Sequence, residues 1–196
     1  NMLPKDIDSR RIWDEIVEEF KYSDFLFVAF GEKNKDVLTS KNLSLLWDLS
    51  KEFETIPEVD EVLSLSNVNR MEMNDGFLDI KNLMPKRKMN LLEVQSLSKY
   101  LKSNPNLRSQ MLSENGDYVN IIIRPKTSKD FPSLVNAVRE VTSPYEKSNE
   151  FYFGGQPYIA GKVPELIKTD SKQLITVGLM IMSLILLVNL RCFSAV

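Results

Sequence analysis

Apolar positions recur along the chain with two periods, and the change from one to the other marks its elements. Ile12, Trp13, Ile16, Val17 and Phe20 share one helical face, which predicts an opening helix over residues 9–20 with Asp8 as its cap. Residues 24–31 (DFLFVAFG) form a continuous apolar run closed by glycine, the pattern of a strand buried on both faces. Thr39 or Ser40 then caps a second helix that repeats Leu43, Leu46, Leu49 and Phe53 until Pro57 stops it. Over residues 59–66, Leu63 and Leu65 alternate with Ser64 and Ser66, as in a half-buried strand.

Residues 118–153 echo this layout of residues 24–66, and the segment between them is less regular. Residues 77–80 read as a short strand after the Asn74-Asp75-Gly76 turn. Residues 90–101 read as a helix with Leu91, Val94, Leu97 and Leu101 inward, ended by Asn104-Pro105. Asn115-Gly116 is a hairpin signal that would join 107–112 to the strand 118–124 (YVNIIIR). Asp130 and Pro132 open a helix with Phe131, Leu134, Val138 and Val141 on one stripe, and residues 150–153 make a last strand. Gly154-Gly155-Gln156-Pro157 closes that strand, and Pro164 starts a final helix. Strand, helix, strand therefore occurs twice. Two such units predict an α+β chain with a ferredoxin-like split β-α-β pattern, interrupted by an insertion over about residues 71–112. Right-handed crossovers would put both helices on one face of an antiparallel sheet.

The chain then changes character. Residues 174–190 (LITVGLMIMSLILLVNL) carry no charge and are fenced by Lys172 and Arg191. A bilayer-crossing helix needs roughly 17 to 25 mostly apolar residues, and a helix satisfies its own backbone in lipid. Its position at the far end of the sequence excludes a signal peptide. Ser183 and Asn189 within it are able to bond a neighbouring helix. Arg191 weakly assigns the following residues to the cytoplasm, which places the preceding region outside it.

Composition narrows the chemistry. The 196 residues include no histidine, which eliminates Ser-His and Cys-His nucleophile pairs and most zinc sites. One cysteine, Cys192, permits no disulfide within the chain. The net charge of −2 gives no footprint for nucleic acid. Glu58, Asp60 and Glu61, the basic triplet Lys86-Arg87-Lys88, and residues 113–117 all read as solvated loops or turns. No phosphate-cradling glycine motif is present. Phe151, Tyr152, Phe153 and Tyr158 stand apart as aromatics close to the apolar run, suited to amphipathic ligands or an interfacial belt, with core packing expected for at least two.

Several features in order carry a resemblance. Phe30-Gly31 ends the first strand, Leu38-Thr39 precedes the Leu43 helix, and Ile56-Pro57-Glu58-Val59 leads into Val62-Leu63-Ser64-Leu65. Gly154-Gly155-Gln156-Pro157 is followed by Pro164-Glu165-Leu166 and Asp170, and the apolar run exits at Asn189-Leu190-Arg191 with Phe193 beyond. This set resembles the first extracytoplasmic loop and following helix of the resistance-nodulation-division (RND) superfamily exporters, in their bacterial hydrophobe/amphiphile (MMPL-like lipid transporter) branch. Glu58 departs from the glycine often seen there, and the run lacks the ionisable residues that carry protons in relatives.

The resemblance implies a non-enzymatic porter fragment of a proton-driven exporter in the inner membrane, with no cofactor or metal. Residues 1–162 would form the extracytoplasmic porter domain, 163–173 a juxtamembrane helix, 174–190 the span, and 191–196 the cytoplasmic start of a continuation. Its partners would be a hydrophobic or amphipathic substrate, membrane lipid, and the rest of the transporter with a second porter domain. Phe151, Tyr152, Phe153, Gly154, Gly155, Gln156 and Tyr158 become candidates for a substrate passage or hinge. The rival expectation is a single-span tethered sensor or binding module built on the same domain.

Overall fold

A computed structural model describes residues 24–74, 77–127 and 130–190, so the helix expected over 9–20 lies outside the described residues. The elements in order are β1 (Leu26–Gly31), α1 (Ser40–Glu54), β2 (Val59–Leu63), β3 (Asn69–Asn74), β4 (Phe77–Asn82), α2 (Leu91–Ser103) and α3 (Pro105–Met111). They continue with β5 (Tyr118–Pro125), α4 (Phe131–Thr142), β6 (Glu150–Gly154) and α5 (Gln156–Leu190). The fold is α+β. Its four-stranded sheet is antiparallel with order β2-β5-β1-β6, and β3-β4 form a separate hairpin.

Cross-strand register sorts the sheet into two faces. Leu26, Val28 and Phe30 pair with Ile123, Ile121 and Val119, and all six are buried. Leu43, Leu46, Leu49 and Phe53 of α1 and Leu134 and Val138 of α4 join them in one core cluster, so both helices cover the same face. Removing a large side chain such as Phe30 from this core should cost about 3–5 kcal/mol. The opposite face carries Phe27, Ala29, Tyr118, Asn120, Ile122 and Tyr152, none of them fully buried. β1 is thus buried on one face rather than both. Its outward residue Phe27 is 38% exposed, because no helix of the β-α-β units lies on that side.

Local signals explain most boundaries. Thr39 caps α1 by accepting a hydrogen bond from the Asn42 N–H (3.2 Å). Asn90 and Glu93 form a reciprocal capping box at the start of α2 (2.9 and 2.7 Å). Other expectations gave way to packing. β2 ends at Leu63, and Ser64, Leu65 and Ser66 are all buried in the turn beyond it. The hydroxyls are satisfied there: Ser50 Oγ donates to the Leu46 carbonyl (2.7 Å), and Ser50–Ser64 and Ser64–Ser66 hydroxyl pairs each span 2.8 Å. Leu91, expected inward, is 74% exposed, since α2 buries only Val94, Leu97 and Leu101. The segment expected as a strand over 107–112 is mostly helix α3, started by Pro105 in its first turn. Only the Leu112–Val119 bridge remains of the expected pairing.

The largest departure concerns the last helix. It begins at Gln156 and runs through Pro164 to Leu190 without a break, instead of starting at Pro164. Its first turns pack on α4: a Cβ at Gly161 would stand 2.9 Å from the Phe131 carbonyl oxygen and 3.0 Å from Val135 Cγ2. From Asp170 to Leu186 every residue is exposed, including Leu174, Ile175, Leu179, Met180, Ile181, Met182 and Leu184. Among the described residues no helix is long and apolar enough to cross a membrane. In α5 the described side chains stop at Leu186, inside the uncharged run that the sequence carries to Leu190.

Candidate functional site

The seven residues singled out by sequence fall on β6, the first turn of α5 and the Gly155 bend between them, at one edge of the sheet. Among the described residues β6 pairs only with β1, setting Phe151 beside Phe30, Tyr152 beside Ala29, Phe153 beside Val28 and Glu150 beside Gly31. Alternation then divides the aromatics. Phe151 and Phe153 turn to the helix-covered face, and Tyr152 turns to the open one. The expectation that at least two pack on the core is met. Phe151 stacks on buried Phe30, with ring centroids 5.5 Å apart.

On the helix side, Phe153 meets both α4 and α5. Tyr158 of α5 stacks on it at 5.6 Å with an interplanar angle of 16°. The Arg139 guanidinium from α4 lies 5.7 Å from the Phe153 ring centroid, a cation–π distance. On the open side, Tyr152 meets Tyr118 edge-to-face at 5.3 Å. Both hydroxyls donate to the Glu150 carboxylate, Tyr118 at 2.5 Å and Tyr152 at 3.3 Å. The bond to Glu150 dominates in raising the Tyr118 phenol above its ordinary range, because it favours the proton-bearing form; desolvation and Tyr152 act the same way.

A shallow groove of about 440 Å³ runs over this edge. Phe151, Tyr152, Phe153 and Tyr158 supply its apolar wall. Arg139, Glu146, Asn149 and Glu150 supply the polar one. Rings beside fixed charges of both signs suit a ligand with an apolar body and a polar head. Gly154, Gly155 and Gln156 do not line the groove; they form the junction from β6 to α5. Gly155 has φ +94°, and a Cβ there would stand 2.0 Å from the Phe25 carbonyl oxygen, so only glycine fits. Gly154 has nothing within 4 Å of a Cβ position. Gln156 is exposed at the start of the helix.

Sequence reasoning missed Arg139, Tyr118 and Glu150. Tyr118 and Glu150 are brought together by strand order, both opposite Gly31. Arg139 reaches Phe153 because α4 lies across the strand it does not touch in sequence. The segments set aside as loops are tied by ion pairs. Arg87 binds Asp48 through two 2.6 Å bonds, which hold the Asp48 carboxyl below its usual range. Arg124 bridges Asp60 (2.9 Å) and Glu61 (2.8 Å). Among the described residues no group of three His, Cys, Asp or Glu side chains is placed to hold a metal ion. Compared with known proteins, the chain matches no family model and no curated protein.

Proposed function

We propose that the chain is a porter-type domain of a membrane exporter for hydrophobic or amphipathic molecules, lipids among them, of the RND superfamily kind. In this reading residues 174–190 cross the inner membrane and the sheet domain lies outside the cytoplasm. The carrying observation is the join between the two: α5 leaves the aromatic edge of the sheet and continues unbroken into an uncharged segment whose described side chains are exposed on every side. A helix apolar all round needs either a protein core or lipid around it. At about 1.5 Å per residue the uncharged run is about 26 Å long, close to the hydrocarbon thickness of roughly 30 Å.

The strand order fits a ferredoxin-like split β-α-β arrangement, with both helices on one face and the other left for a second domain or a passage. The amphiphile groove sits at the β6 edge, beside the start of the helix. Its ligand would lay an apolar chain on Phe151, Phe153 and Tyr158 and meet Arg139 or Glu150 with its head. A rigid α5 would then transmit movement of the membrane part to α4 through the Gly161 contact.

A photoactivatable zwitterionic phospholipid with a diazirine in its acyl chain tests this. Crosslinks on the full chain in membranes should map to β6 and the first turns of α5. Phe153→Ser should reduce labelling at least tenfold. Labelling confined to residues 174–190, unaffected by Phe153→Ser, would defeat the groove as a substrate site.

A further inference from the structure

Among the described residues the β3-β4 hairpin has one edge in contact with a helix and one that pairs with no strand. At β3, the Met71 N–H donates to the Tyr100 hydroxyl (3.4 Å), and the Arg70 guanidinium lies 5.7 Å from the Tyr100 ring centroid. α2 therefore touches that side through Tyr100. Among the described residues β4 pairs with β3 alone. Opposed residues in an antiparallel pair exchange both backbone bonds or neither, in alternation. Met71 sends its N–H outward to Tyr100, so Met71–Ile80 is a pair that exchanges none. Three pairs away the Leu83 N–H does bond the Val68 carbonyl (2.9 Å), as the alternation requires. The N–H and C=O of Ile80 accordingly point out from the bare edge of β4.

The side chains on this edge are arranged for a particular partner. Ile80 is 54% exposed and Met71, beside it, is 61% exposed. Asp79 and Lys81 flank Ile80 on the opposite face and reach each other at 2.5 Å. We propose that β4 pairs antiparallel with β4 of a second copy of this chain, about a two-fold axis at Ile80. Ile80 then exchanges both backbone bonds with Ile80 of the second copy. Asp79 falls opposite Lys81 of the second copy and Lys81 opposite its Asp79, in the closely spaced pairs where side chains approach best. Centring the axis on Asp79 or on Lys81 would instead set like charges opposite, so the charges select one register. A two-stranded hairpin is marginal by itself, and the second copy extends it to four strands.

The location permits the pairing. The hairpin departs where β2 ends and returns where β5 begins, at the end of the sheet holding Gly31, Tyr118 and Glu150. α5 follows Gly154, at the other end. The inference stands on the edge geometry alone and does not depend on the export reading.

The test is a charge exchange on the full chain in detergent, with mass read by sedimentation. Wild type should show concentration-dependent association to twice the 22.6 kDa chain mass. Asp79→Lys sets lysine against Lys81, and Lys81→Asp sets aspartate against Asp79, so each variant alone should associate about tenfold or more weakly. An equimolar mixture of the two restores both pairs and should return to wild-type association. That recovery also shows that both variants fold. A wild type that stays monomeric, variants that associate like wild type, or a mixture no tighter than its components would overturn the proposal.

Discussion

Tyr118 shows how one side chain comes to be held by its fold. Its hydroxyl donates to Glu150 from a neighbouring strand, and Tyr152 packs edge-on against its ring. The raised phenol has a defined sign in stability. The protonated form is favoured in the folded chain, so its contribution is complete below the unfolded value of about 10 and fades as pH rises through the folded value. In a near-ultraviolet phenolate titration, the transition that Tyr118→Phe removes should lie above pH ~10. A missing transition at or below that value would show that the Glu150 bond does not hold. Asp117 behaves oppositely: the Ser113 hydroxyl holds it low, so its contribution is lost on acidification. The Tyr118–Glu150 partnership was not legible beforehand, because the two residues are far apart in sequence and meet only through the strand order. The aromatic cluster was legible, since four aromatic residues stand within eight positions.

At the scale of elements, the junction of β6 and α5 separates two glycines that look equivalent in sequence. Gly155 has a left-handed backbone and Phe25 against its α-carbon, whereas Gly154 faces open space. Gly155→Ala should destabilise the domain by more than the roughly 1–3 kcal/mol of backbone strain alone in urea unfolding, because the added Cβ also meets the Phe25 carbonyl. Gly154→Ala should stay within about 0.5 kcal/mol. Equal costs would mean that the turn is built differently. Periodicity identified α1, α2, α4 and the four sheet strands because each has a one-sided apolar stripe or an apolar run. It failed where local rules competed. Asn115-Gly116 is a genuine turn signal, but Pro105 had already committed the preceding residues to a helix. β3 was missed although Met71 and Met73 alternate with polar residues, because Asn69–Asn74 holds only those two apolar positions and no β-branched or aromatic residue. Pro164 looked like a helix start, yet the helix already begins at Gln156, with Pro157 buried in its first turn.

The whole molecule combines a sheet domain with a long helix that packs on it by its first turns and is exposed from Asp170 to Leu186. The domain has its own core, closed by α1, α4 and the α2-α3 segment, and among the described residues that core includes none from the second half of α5. What that half is for is the central question. The uncharged run was the clearest feature of the sequence because burial in water-soluble folds rarely spares a helix every charge. If residues 174–190 cross the membrane, the aromatic groove and the bare β4 edge both belong to the extracytoplasmic side, and Cys192 lies across the bilayer from them.

Cysteine labelling decides this most directly. Lys147, exposed in the loop before β6, is replaced by cysteine in a Cys192→Ser background, and the native Cys192 chain is compared with it. Both are expressed in bacterial spheroplasts and treated with a membrane-impermeant maleimide. The account predicts that Lys147→Cys is labelled on intact spheroplasts and that Cys192 is labelled only after permeabilisation. Labelling of both positions, or of neither, before permeabilisation would contradict a span between them.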